Sequence, residues 1–571
     1  MNYMDPKIRN RKDCLQCKKS FIITDQDWGF YQKMAVLEPT LCPVCRARRR
    51  LAFRNERTFY KDACAQCKKT IVSQFSPLRG LIVYCESCYW KDSWEGQEYG
   101  RDFDFSKTFG EQFDALNRAV PHMAMIHTNS ENCEYTHLAA NNKNSYMLIE
   151  SSDNESCIHS YWLQKCRDCI DTSYAHESEK MYNCDDCVNC YALQYCRNCS
   201  KCTDSYFLLN CRDCTNCYGC VNLSHKEYCV FNEQKTKEEY KQFIASKKLT
   251  IWNGVCAAHE EFEKFSIGYP RKYAYSQNAE GCAGNYLRNA KNCLRAFHAY
   301  DCENCTYAEH VWRNAKDCMD VSTVGIDAQL VYDSINTALG VYMMRCTNQC
   351  WNGSNNCDFC FFCGGLSYGF GCVAIKKGDH CILNKKYSQE EYDTLREKII
   401  THMKETGEWG HFLDPKYSLF GYNETIAQEE YPLEKEAAVM AGFQWQDLIS
   451  GSRGKETIMS ASLPESIADI PDTITKEVLA CVQCHKNYNI ISQELKFYRA
   501  NSIPLPQLCP DCRHSRRIAF RGPNELWSRQ CMCDKNGHEH AGKCPAQFET
   551  TYSPDRPEII YCGFCYQKEV E

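Results

Sequence analysis

Cysteine pairs two residues apart are the first chemistry visible in this chain. Cys14/Cys17, Cys42/Cys45, Cys64/Cys67 and Cys85/Cys88 open it, separated by 24, 18 and 17 residues. Near the other end stand Cys481/Cys484 and Cys509/Cys512, again 24 apart. Cys531 follows after 18 residues, and Cys544 precedes Cys562/Cys565 by 17. A C-x2-C turn brings two thiolates onto one ion, and two such turns complete a tetrahedral site with Zn–S distances of about 2.3 Å. Four sulfurs close that site, so its role is structural. An apparent binding energy of roughly 10–16 kcal/mol folds a small unit with little core. The spacing predicts about four Zn2+, two at each end of the chain. Competing readings are rubredoxin-type iron at the Cys-Pro-x-Cys turns and the cross-braced pairing of ubiquitin-ligase RING domains. The 18-residue gaps favour sequential pairing over cross-bracing.

The two ends are copies. LEPTLCPVCRARRRLAFR (37–54) matches PLPQLCPDCRHSRRIAFR (504–521), and SQFSP (73–77) matches TTYSP (550–554). The copies differ by an insertion between Cys531 and Cys544 that carries Cys533, His538 and His540, any of which could stand in for Cys531. The pattern C-x2-C, an aromatic stretch, P-x-x-C-x2-C-R and a basic run resembles the bacterial "probable zinc-ribbon" domain. The whole layout, with GEWGHFLDPKYSLFGYNETIAQEEYPL (407–433), resembles cysteine-rich zinc-ribbon proteins of small-genome, candidate-phyla bacteria. The resemblance implies metal and architecture, not an activity.

These sites need elements to hold them, and the middle of the chain supplies repeats. Tyr146, Tyr161, Tyr191 and Tyr206 recur at multiples of 15 residues, among blocks such as CRNCSKCTDSYFLLN (196–210). A short fixed period means stacked units, each too small to bury its own face. Tyr-x-Leu reads as a short strand, and the intervening Asn, Asp, Ser and Gly suit tight turns. A looser array follows, with NAEGC (278–282), NAKNC (289–293) and NAKDC (314–318). Both arrays end alike and run into a helix. Thr236/Glu239 and Ser388/Glu391 fit capping boxes, and Gly407 is a stop signal. Cys211, Cys214, Cys217 and Cys220 come close to the bacterial ferredoxin run. The last spacing is one residue short and Val221 stands where that run has Pro, which argues against an iron–sulfur cluster. These four are candidate further metal ligands, with Cys533; the favoured reading is reduced thiols packed as small apolar groups.

The expected fold is mainly β: tandem zinc ribbons at both ends flank two cysteine-rich, β-solenoid-like arrays joined by short helices. The expected units are ribbons at 1–120, a first array at 121–235, a helical connector at 236–270, a second array at 271–385, helix and linker at 386–476, and ribbons at 477–571. A Ser/Gly-containing stretch at 450–462 reads as a tether with some freedom.

The arginines behind the second turn of each end module are candidate phosphate contacts: Arg46, Arg48, Arg49, Arg50 and Arg54, then Arg513, Arg516, Arg517 and Arg521. Guanidinium forks match phosphate geometry, and Phe53 and Phe520 lie among them. They would make the two ends a nucleic-acid clamp or bind a protein partner; the alternative is pairing with carboxylates of the same fold. No phosphate loop, H-E-x-x-H helix, G-x-S-x-G elbow or deaminase pattern is present, so the expectation is a non-enzymatic scaffold. Metal storage or redox use of the array cysteines, a ubiquitin-ligase-like module and an unrecognised enzyme are the alternatives.

Composition bounds these readings. There are 45 cysteines in 571 residues, a density usual only in short disulfide scaffolds, in a chain long enough for several domains. A net charge of −6 argues against a generally basic nucleic-acid coat. MNYMDPKIRNRKD has no apolar stretch of a secretory signal, and no apolar run approaches the roughly 20 residues of a membrane span. The expectation is a cytoplasmic protein with reduced thiols and no membrane partner.

Overall fold

Two wound arrays form the body of the protein, and their winding follows from a three-residue beat. The computed structural model describes residues 7–449 and 451–570. Every third residue from Asn132 to Tyr228 takes a left-handed backbone, with φ between 45° and 65°. Asn and Asp, which tolerate this conformation best, hold many of these corners: Asn141, Asn144, Asp153, Asp168, Asn183, Asn198 and Asn210 among them. Four corners close one turn, so each residue bridges in parallel to the residue twelve further on: Glu131 to Lys143, Lys143 to Glu155, Glu155 to Arg167. Corner side chains stack between turns, as in Asn141 Nδ2 donating to Asp153 Oδ1 at 3.0 Å and Asn210 Nδ2 to Asn222 Oδ1 at 2.9 Å.

The residue after each corner points inward. Leu148, Ser151, Asn154, Cys157, Ser160, Leu163, Cys166 and Cys169 are all buried. A twelve-residue turn leaves a narrow lumen with four such positions, which favours small side chains. It also leaves the inward residue's own N–H facing the lumen, and a buried donor must find an acceptor. The inward residue of the turn before supplies one. Ser145 Oγ accepts from Cys157 N at 3.2 Å, Asn154 Oδ1 from Cys166 N at 2.8 Å, and Cys196 Sγ from Leu208 N at 3.4 Å. Inward thiols in turn donate weakly to carbonyls, as Cys184 does to Tyr182 O at 3.4 Å and Leu193 O at 3.5 Å.

The second array obeys the same rule with wider turns. Its ten-stranded sheet runs in sequence order and is parallel up to the last pair. The register is twelve residues at Gly284–Ala296, thirteen at Cys302–Ala315, Gln329–Tyr342 and Tyr342–Asn355, and twelve again at Asn355–Ser367. The extra residue falls between inward positions, as from Val311 to Ala315 and from Val324 to Ala328, all fully buried. That insertion is why the motif looks irregular in the sequence.

The halves are exchanged. The helix Phe109–Ala119 precedes the first array but packs on the second, with Phe109 4.9 Å from Phe359 and Phe113 4.8 Å from Phe361 between ring centroids. The helix Trp252–Ile267 precedes the second array but packs on the first, Phe262 lying 5.9 Å from Phe207. Both expected capping boxes form, at Thr236 and Ser388. Past the helix Gln389–Glu405, Gly407 takes φ 75°, the left-handed conformation a helix stop needs.

Three expectations are corrected. With 25% helix and 30% strand the architecture is mixed α/β rather than mainly β. The tyrosine spacing of 15 is a multiple of the three-residue beat, while the turn itself is twelve. The stretch at 450–462 is not a loose tether: Ile458–Met459 pairs in parallel with Leu479–Ala480, and Asn487 N donates to Ser452 O at 2.8 Å; Ser450 lies outside the described residues. No helix among the described residues is long and apolar enough to cross a membrane.

The lumen sets a size limit that can be measured. Ala308→Leu, at a fully buried inward position, should cost about 1–3 kcal/mol as a lowered thermal midpoint, whereas Lys291→Ala on the outer face should stay within about 0.5 kcal/mol.

Candidate metal centres

Four groups of four cysteines come together, near both ends of the chain: Cys14, Cys17, Cys42 and Cys45; Cys64, Cys67, Cys85 and Cys88; Cys481, Cys484, Cys509 and Cys512; Cys531, Cys544, Cys562 and Cys565. Within each group all sulfurs lie within 4.8 Å of one another. Close pairs include Cys17–Cys42 at 3.7 Å, Cys67–Cys85 at 3.8 Å, Cys481–Cys512 at 3.8 Å and Cys484–Cys509 at 3.6 Å. A tetrahedron with Zn–S bonds of about 2.3 Å has edges of about 3.8 Å, so the donor set fits zinc.

Local sequence builds each group. A strand ends at the first cysteine and the chain turns back through the pair. The residue after the second cysteine is left-handed, with φ 61° at Lys18, 63° at Lys68 and 60° at His485. The second pair starts a helix. Cys42 and Cys509 are N-caps with Pro43 and Pro510 at the first helical position, where proline's missing N–H costs nothing. Helix N-termini and free N–H groups favour thiolate. Cys64 Sγ accepts from Cys85 N at 3.3 Å, and Cys481 Sγ from Cys509 N at 3.3 Å. Burial opposes ionisation of Cys64, yet the N–H groups of Cys67, Cys85 and Gln66 outweigh it and bring the thiol down to about 6. At Cys481 burial is likewise outweighed by the N–H groups of Cys484, Cys509 and Gln483, to about 7.

The arginines behind these helices are placed differently from the phosphate-contact expectation. Arg46, Arg50 and Arg54 share one face of the helix Pro43–Leu51 and its extension, and all three are buried. Arg46 Nε meets Asp320 Oδ2 at 2.9 Å, Arg50 meets Asp333 Oδ1 at 3.0 Å, and Arg54 pairs with Glu56 and Glu150. Their copies on the helix Pro510–Arg521 do the same: Arg513 Nε to Asp171 Oδ2 at 3.1 Å, Arg517 to Asp171 Oδ1 at 3.1 Å, and Arg521 to Asp185 Oδ2 at 3.0 Å. Arg521 also lies between the rings of Tyr174 and Tyr286, 3.8 Å from each centroid. These six side chains are consumed inside the fold and do not reach a phosphate backbone. Arg48 and Arg49 are half-buried, Arg49 Nε donating to Leu413 O at 2.9 Å, and Arg516 alone of the nine is exposed.

Each helix therefore couples the first candidate metal group of its end module to an array. The N-terminal helix docks on Asp320 and Asp333 of the second array, the C-terminal helix on Asp171 and Asp185 of the first. The second group of each end module sits where an array begins. Val83–Tyr84, just before Cys85, pairs in parallel with His122–Met123; Ile560–Tyr561, just before Cys562, pairs with Arg271–Lys272.

Cys211, Cys214, Cys217 and Cys220 are the four inward residues of one turn. Each thiol lies near two carbonyls, as Cys214 does Arg212 O at 3.3 Å and Leu223 O at 3.5 Å, and Cys220 does Tyr218 O at 3.3 Å and Cys229 O at 3.5 Å. Their C-x2-C spacing is the beat of the winding and needs no metal to explain it. Sequence reasoning missed the carboxylate partners Asp171, Asp185, Asp320 and Asp333. The corner spacing between Asp320 and Asp333, one turn apart, was the available signal.

No protein-family model and no curated protein matches the chain. Among solved structures it is similar to one described as a "putative acetyltransferase" from Desulfovibrio desulfuricans G20, at 10% identity over 47% of this chain and 78% of that one. The TM-score of 0.11 carries no argument about fold or activity. The chain is a cysteine-rich protein with four clusters of four cysteines each, of a geometry suggestive of zinc-binding modules.

Two measurements follow. Arg50→Ala leaves buried Asp333 without its cation and should cost about 3–5 kcal/mol in chemical denaturation, whereas Arg516→Ala should stay within about 0.5 kcal/mol. Brief alkylation of the native chain, read by mass spectrometry, should spare Cys211, Cys214, Cys217 and Cys220 with or without a chelator. The terminal cysteines should become reactive once the chelator is added.

Proposed function

We propose that this chain is a non-enzymatic, zinc-stabilised scaffold in which four zinc ribbons lock two β-solenoids together. The observation that carries this reading is the pair of arginine helices. Each starts at a cysteine of a candidate zinc site and ends in buried ion pairs with the array from the other half of the chain. The ion fixes the start of the helix, the helix aims the arginines, and the arginines set the arrays in register. Clusters closed by four sulfurs leave no position for a substrate, which supports a structural rather than catalytic use of the metal.

A binding role is supported by the cleft between the arrays, of 860 Å³, lined by Trp90, Trp162, Trp312 and Trp351. Among the residues that line it, the side-chain amide of Asn336, Gln349 Oε1 and Trp162 Nε1 are buried without a partner among the described residues. Indole faces beside unpaired amide groups suit a polar ring ligand that stacks and hydrogen-bonds through its edge. The basic helices offer less to nucleic acid than the sequence promised, because six of their nine candidate arginines are committed internally.

Chelation tests the scaffold reading. Removing zinc from the full chain should lower the thermal midpoint of the whole molecule in one transition, arrays included, and re-adding zinc should restore it. Arrays that melt at the same temperature with and without metal would sink it. Titration with oligosaccharides and nucleosides, followed by tryptophan fluorescence, tests the cleft. Binding lost in Trp351→Ala supports it, and no response to either class counts against it.

A further inference from the structure

The last cysteine group has a neighbour that its copy lacks. Cys64 and Cys67 are separated by two residues, whereas their counterparts Cys531 and Cys544 are separated by twelve. The insertion folds back over the group. It places Cys533, His538 and His540 beside Cys565, and the four donor atoms of this second set also lie within 4.8 Å of one another. Cys533 Sγ is 3.2 Å from His538 Nδ1, and Cys565 Sγ is 3.5 Å from His540 Nε2. Cys533 and Cys565 are fully buried.

We propose that this end of the chain holds two divalent ions rather than one. A second zinc is bound by Cys533, His538 and His540, and Cys565 is the thiolate that bridges it to the ion of Cys531, Cys544 and Cys562. The proposal rests on the reading that the latter four-cysteine group binds metal.

The surroundings of the two imidazoles support it independently of the cluster itself. A ligating histidine needs its other nitrogen held by a carbonyl or carboxylate, which fixes the tautomer and turns the ring. His540 Nδ1 is 2.8 Å from Gly542 O, so it donates there and leaves Nε2 free as the donor atom facing Cys565. His538 faces Cys533 through Nδ1, and its Nε2 lies 3.6 Å from Glu569 Oε2. Glu569 stands four residues after Cys565 on the helix Gly563–Val570, so one helix face presents both the bridging sulfur and the carboxylate behind the histidine. Lys535 Nζ, 3.1 Å from Glu569 Oε1, holds that carboxylate in place. The rings stand at 86° to each other, 6.1 Å between centroids, so their nitrogens approach the shared space from two directions, as tetrahedral coordination requires. Two sulfurs and two nitrogens are a common zinc donor set.

Cadmium-113 NMR of the full chain, with every site loaded by the isotope, tests this. The expected result is a resonance of mixed sulfur and nitrogen ligation, scalar-coupled through Cys565 to one of the four all-sulfur resonances. Cys533→Ser and His540→Ala should each remove the mixed resonance, lower the bound metal by one ion per chain and leave four all-sulfur signals. A wild-type chain without a mixed-ligation resonance overturns the proposal whatever the variants do. So does a mixed resonance that replaces one of the four all-sulfur signals, because a single ion would then be using the inserted ligands. Absence of the all-sulfur signals themselves would instead mark failure of the underlying zinc reading.

Discussion

A backbone forced into a left-handed corner at every third residue dictates most of this protein. The corner decides where Asn and Asp fall, since few other residues tolerate it cheaply. It makes the turn twelve residues long and leaves a lumen with four inward positions per turn. The lumen in turn selects for side chains that are small, tolerate burial and can accept an N–H from the next turn. Cysteine and serine satisfy all three demands; alanine and valine satisfy two. The unusual cysteine content thus has two separate settings, candidate metal groups near the ends and lumen chemistry in the middle.

Buried arginine–carboxylate pairs are a second layer of constraint. Such pairs add little net stability over apolar packing, because both partners must be desolvated. What they supply here is uniqueness. Asp320 and Asp333 lie one turn apart, and Arg46 and Arg50 lie one helical turn apart, so a slip of the helix along the array would strand charges in the interior. The same logic holds for Asp171 and Asp185 against Arg513, Arg517 and Arg521. Aromatic packing between helix and array is tolerant of small shifts, whereas these pairs are not.

The sequence made the ends legible because ligand spacing and intervening residues repeat together, as in residues 37–54 and 504–521. It made the arrays legible as repeats but not their period. Tyrosines at multiples of 15 stood out, while the three-residue beat was carried by inward positions shared among Cys, Ser, Asn, Leu and Ala, a set too mixed to register as one motif. The run from Cys211 to Cys220 shows the ambiguity most sharply, since C-x2-C is produced equally well by a metal-binding turn and by a wall of this winding. What the winding adds is two backbone carbonyls beside each thiol of that run, one of them from the neighbouring turn, and that is a long-range fact. The role of the arginines stayed open between the two readings for the same reason. A basic helix face reads identically whether its carboxylates are a ligand's or lie 283 residues further along the chain, as Asp333 does from Arg50.

The exchange of halves has a consequence for how the molecule is made. During synthesis the helix Pro43–Leu51 emerges well before its partners: Asp320 and Asp333, which neutralise Arg46 and Arg50, are translated 274 and 283 residues later. The first array likewise waits for Arg517 and Arg521, which follow Asp171 and Asp185 by 346 and 336 residues. Neither array can neutralise its buried carboxylates with arginines from its own half, so each interior is completed only when the other half has been made. Until then, the candidate ion site of Cys14, Cys17, Cys42 and Cys45 can assemble without waiting for distant sequence.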